Sequence, residues 1–137
     1  MKCKVCNYNV KEHDVGSELD ACIVKSVMGW KIWNGIETGR TDYPRYANVD
    51  GDVVVYKYDN WFSYFTPSEN IVDALMAEDR IDELGLRDLY ITHLAEIIEE
   101  HQHSKDLTTK DGLWYMVHAS PYERCLASLL TINSKKE

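Results

Sequence analysis

Apolar residues in this chain recur at two spacings, one suited to helices and one to strands. Over residues 17–30, Leu19, Ile23, Val27 and Trp30 lie four, four and three positions apart, on one face of a helix. Ala21, Val24 and Met28 widen that stripe, which predicts a well-buried helix capped by Ser17 and ended by Gly29. Residues 53–58 form a β-branched and aromatic run that predicts a strand after a turn at Asp50-Gly51. Residues 61–65 predict a second strand, antiparallel to the first. Ile71, Leu75 and Met76 predict a helix that Gly85 ends or bends. Leu86, Leu89, Tyr90, Leu94, Ile97 and Ile98 predict a longer one reaching about His101. Residues 113–118 read as a last strand. The final helix buries Cys125 or Leu126, Leu129, Leu130 and Ile132.

The chain twice repeats one junction. Phe65 runs into Thr66-Pro67-Ser68-Glu69, and Val117 is soon followed by Ser120-Pro121-Tyr122-Glu123. A hydroxyl at the cap can accept from a first-turn N–H, proline suits the first helical position, and glutamate three residues on can reach back to the cap. Both junctions are expected to turn a strand into a helix. The predicted fold class is α+β: a small antiparallel sheet of three to four strands, packed in a helix–sheet–helix sandwich. Trp30, Trp61, Leu75, Leu94, Trp114, Leu126 and Leu129 form its expected core. Residues 1–16 read as a polar tail or knuckle, 17–133 as one domain and 134–137 as a charged tail.

Charge narrows the partners. Ten acidic residues lie between Pro67 and Ser104, opposed only by Arg80 and Arg87, so that segment carries the whole net charge of −8. Such a surface repels phosphate backbones, which argues against direct duplex DNA binding. No apolar run is long enough to span a membrane, and the first residues do not read as a secretory signal. The expected location is the cytoplasm, where thiols stay reduced.

Candidate chemistry begins with Cys3-Lys4-Val5-Cys6, half of a zinc knuckle with His13 nearby. A closed structural site needs four ligands. Cys22 and Cys125 fall on apolar helix faces and read as small buried hydrophobes. Zinc is therefore the candidate metal at Cys3, Cys6 and His13, but the expectation is that no cofactor is tightly held. His93, His101 and His103 suit a helix end better than a metal site. Cys125 with His118 would need a group to orient the base, and none is evident. No phosphate-binding loop or hydrolase motif is present, so the chain is expected not to be an enzyme. Trp33, Arg40, Tyr43, Arg45 and Tyr46 mix arginine with aromatics, a composition suited to a partner or a nucleotide.

Three segments together resemble a known family: Val24-Lys25-Ser26-Val27-Met28-Gly29-Trp30, Phe65-Thr66-Pro67-Ser68-Glu69-Asn70-Ile71, and residues 119–130 around Ser120-Pro121 and Arg124-Cys125. They are similar to small phage and prophage proteins with the phage ABA sandwich domain. That resemblance implies a phage or prophage origin and a helix–sheet–helix sandwich, and it implies no reaction. The functional expectation is an interaction protein that inhibits or modulates a host protein, such as a defence nuclease, by imitating the charge of DNA. Its contact surface would be Glu78, Asp79, Asp82, Glu83, Glu96, Glu99 and Glu100. The alternative is a nucleotide-binding or sequestering protein that uses the loop at residues 33–46.

Overall fold

The computed structural model describes residues 1–29, 31–32, 45–47, 53–55, 65–102 and 110–134. Helices make up most of this structure. They are Ser17–Cys22 (α1), Ile71–Glu83 (α2), Arg87–Gln102 (α3), Lys110–Val117 (α4) and Pro121–Ser134 (α5). A wider π-type turn, Ile23–Val27, prolongs α1. Gly29 follows it with φ +68°, a backbone state that glycine adopts without steric cost.

The core is helix on helix. Seven successive residues of α5, Cys125 to Thr131, are buried, so this helix is covered on every side. Its neighbours are α2, α3 and the α1 unit. They contribute Ala77 and Ile81, then Tyr90, Leu94, Ile97 and Ile98, and finally Leu19, Ile23, Val24 and Val27. Ser128 and Thr131 are tolerated inside because their hydroxyls donate to the carbonyls of Arg124 and Ala127, at 2.8 and 2.7 Å.

These observations overturn the α+β sandwich. Strand structure among the described residues is limited to Lys31–Ile32 (β1), Arg45–Ala47 (β2) and Val53–Val55 (β3), three short segments paired antiparallel in the order β1-β2-β3. Ala47 is opposite Val53. Among the described residues the helices bury their apolar faces against one another. The expected strand at 113–118 is helical instead. Its aromatic and β-branched composition favours a strand, but as α4 it gains the spacing that stacks Trp114 on His118 at 4.0 Å. Most of the expected strand at 61–65 lies outside the described residues.

Helix ends follow local chemistry, and not always at the predicted residue. Ser120 caps α5 as expected: its Oγ accepts from the Glu123 N–H at 3.1 Å, and Glu123 Oε1 accepts from the Ser120 N–H at 2.9 Å. Thr66 does not cap α2. Its carbonyl closes a turn with Glu69 and Asn70, and Asn70 then caps the helix, accepting from Val72 and Asp73. The helical cap before α1 is Gly16, not Ser17. Gly85 ends α2 with φ +74°, its own N–H bonded to the Asp82 carbonyl and that of Leu86 to Ile81, so two otherwise orphan carbonyls are satisfied. Replacing Ser120 by alanine is expected to cost about 1 kcal/mol. The corresponding change at Thr66 should not remove a cap. Thermal melts of the two variants check this.

Leu94, Leu126 and Leu129 are buried as expected, whereas Leu75 is 41% exposed and Trp114 63% exposed. Both of these drop out of the expected core, and Trp30 and Trp61 lie outside the described residues.

Candidate metal centre

The first ten residues form a small knuckle. Asn7 takes a left-handed conformation, φ +65°, which asparagine tolerates better than most residues. This reverses the chain, so that the Cys3 N–H donates to the Tyr8 carbonyl at 2.8 Å and Val10 to Met1 at 3.0 Å. A single 3₁₀ turn, Val10–Glu12, follows, with Asn9 as its cap. The knuckle does not hang free. Cys3 and Val10 belong to the main buried cluster. The Lys4 N–H donates to Asn133 of α5 at 2.8 Å, and Lys11 pairs with Glu100 of α3 at 2.5 Å.

This docking brings four side chains together. The ligand-type atoms of Cys3, Cys6, His13 and Cys22 all lie within 4.8 Å of one another. His13 Nε2 is 2.9 Å from Cys6 Sγ and 3.7 Å from Cys22 Sγ. Sulfurs around a tetrahedral zinc are about 3.8 Å apart, given bonds of about 2.3 Å. The cluster is therefore near the required size. His13 Nδ1 is bonded to the Val10 carbonyl at 2.9 Å, which leaves Nε2 to face the sulfurs. This is the outer-shell contact that metal-binding histidines generally make. Cys3, His13 and Cys22 are buried and Cys6 is partly so. All four cysteines of the chain are free of disulfides. An open cleft of about 460 Å³, lined by Tyr8, Glu12, His13, Asp14 and Glu18, lies beside the cluster and places carboxylates near it.

Electrostatics favour a cation here. Burial raises the Cys3 thiol, but hydrogen bonds from the backbone of Cys6 and Val5 outweigh it, and the thiol ends below its ordinary value. Burial pushes the Cys22 thiol strongly up, and the neighbouring Cys6 and Cys3 add to the rise. The Cys22 thiol therefore resists ionising beside Cys3 and Cys6. A divalent ion between them removes that conflict, because thiolate charge then faces the metal.

Cys22 is buried in the core, as the sequence reading expected, and its sulfur also lies beside the ligand-type atoms of the knuckle. It does sit on the apolar face of α1, but that face looks toward the knuckle as well as the core. Cys125 does behave as a core residue: burial lifts its thiol well above the ordinary value, with Asp20 and Asp73 adding to the effect. His118 is bonded to the Trp114 carbonyl, His101 to Glu123, and His93 to Ser134. Among the described residues they form no second metal cluster.

Of the acidic residues, Asp79, Asp82, Glu83, Glu96, Glu99 and Glu100 are exposed. Glu78 turns inward to pair with Arg124 and accept from the Tyr90 hydroxyl. Arg87 clasps Asp82 with two donors, at 2.9 and 3.0 Å. Arg45 and Tyr46 lie in β2, while Trp33, Arg40 and Tyr43 lie outside the described residues. Among the described residues no helix is long and apolar enough to cross a membrane. Comparison with protein-family models, curated proteins and solved structures finds no match for this chain.

Proposed function

We propose that this chain is a zinc-bearing interaction protein, in which Cys3, Cys6, His13 and Cys22 hold one Zn²⁺ and clamp the knuckle to α1. The observation that carries this reading is the convergence of four donor atoms within 4.8 Å, drawn from a C-x₂-C knuckle, a 3₁₀ turn and a helix. The donor set, three thiolates and an imidazole, is one that zinc favours in structural sites. Four protein ligands leave no coordination position for water or substrate, which supports a role in scaffolding over catalysis. The exposed carboxylates of α2 and α3 then supply a contact surface for a basic protein partner, such as a nucleic-acid-binding host factor.

Elemental analysis of protein purified under reducing conditions tests the reading. One zinc per chain is expected, with intense Co²⁺–thiolate absorption after exchange. Metal-free protein that takes up neither ion would overturn it.

A further inference from the structure

Tyr122 lies 109 positions from His13 in sequence, at the start of α5. Its phenol O–H donates to the backbone carbonyl of His13. Its ring stacks parallel to the imidazole of His101, with centroids 6.3 Å apart and planes 5° apart. His101 Nδ1 is in turn 2.9 Å from Glu123 Oε2, and the other oxygen of Glu123 closes the cap of α5 on the Ser120 N–H. The phenol is thus held in place by the capped end of α5 and by α3. His13 is gripped at Nδ1 and at its backbone N–H by the Val10 carbonyl, and at its own carbonyl by Tyr122. Only Nε2 is left to face Cys6 and Cys22.

We propose that Tyr122 is a positioning residue for the metal centre, which holds the His13 backbone so that Nε2 stays in register with the three sulfurs. The inference rests on the reading of Cys3, Cys6, His13 and Cys22 as metal ligands. It extends the centre from those ligands to a hydrogen-bonded shell on α5 and α3. Outer-shell contacts of this kind typically tune metal affinity by about 10–100-fold.

The test uses full-length protein, wild type and Tyr122→Phe, stripped of metal under reductant and titrated with Zn²⁺ against a chromophoric chelator. Phenylalanine keeps the ring and its stack on His101 and removes only the O–H. The expected result is a zinc affinity lower by about 10-fold or more at unchanged stoichiometry. The Co²⁺ absorption should shift as the imidazole loosens, while the metal-free forms melt within a few degrees of each other. His101→Ala, which removes the surface behind the Tyr122 ring, should shift affinity in the same direction by less. It serves as the second readout if the phenylalanine variant folds poorly. Wild-type zinc affinity in both variants would overturn the role of Tyr122 while leaving the metal centre standing. Wild-type protein that binds no metal would overturn both.

Discussion

Cys22→Ser is expected to empty the proposed metal centre and to lower the melting temperature by more than the loss of its own packing in the core would explain. Serine is close to cysteine in size, but its hydroxyl does not ionise to replace a thiolate ligand. A ligand present at a thousand times its dissociation constant stabilises the state that binds it by about 4 kcal/mol. For a domain of this length that corresponds to a shift of roughly 10–20 °C. Zinc content should fall from one per chain toward zero. A chelator should reproduce the drop in wild type and leave the serine variant unmoved. Cys125→Ala, also buried and outside the cluster, is the control that should retain its zinc. Acid should act like the chelator: the ligands must be thiolates, so the metal's contribution is present near neutral pH and is lost as pH falls and protons compete for sulfur. Identical melts for wild type and Cys22→Ser, with no chelator effect, would remove the metal from the account of stability.

Leu129→Ala is expected to cost about 2–5 kcal/mol, through the cavity it leaves in the middle of α5. Leu129 is fully buried, and its helix touches α2, α3 and the α1 unit. A gap there cannot collapse without moving several helices at once. Leu75→Ala is the informative partner. It removes the same atoms from a site 41% exposed on α2, so the loss should stay under about 1 kcal/mol. Denaturant melts of both variants, read beside zinc content, separate the two sources of stability. Leu129→Ala should weaken the fold while retaining one zinc per chain. Equal losses at the two positions would contradict the central placement of α5.

Much of the helical framework was legible because helices are written locally. The stripe from Leu19 to Val27, the stripe from Leu86 to Ile98, the stop at Gly85 and the reciprocal cap of Ser120 and Glu123 each depend on residues a few positions apart. The same local reading went wrong where short windows are ambiguous. Residues 113–118 carry strand-forming side chains, yet a six-residue apolar run fits either period, and the surrounding fold decided. Thr66 and Ser120 offer the same Ser/Thr-Pro start, but only Ser120 is followed directly by a helix. After Thr66 the chain first makes a turn, and Asn70 takes over as the cap.

The knuckle divides in the same way. A pair of cysteines three residues apart followed by a histidine is a local signature, and the sequence alone marked Cys3, Cys6 and His13 as an incomplete zinc set. It did not add Cys22 to that set, because a cysteine on an apolar helix face has the same pattern whether that face meets only leucines or also a thiol cluster. Cys22 became a ligand candidate when the knuckle docked against α1, and Cys125 did not because α5 is enclosed by helices. The remoteness of Tyr122 from His13 has the same origin. Periodicity and caps depend on neighbours along the chain, so the sequence determined them. The four-sided cluster depends on which helix face packs against which turn, and long-range burial in the tertiary structure decided that.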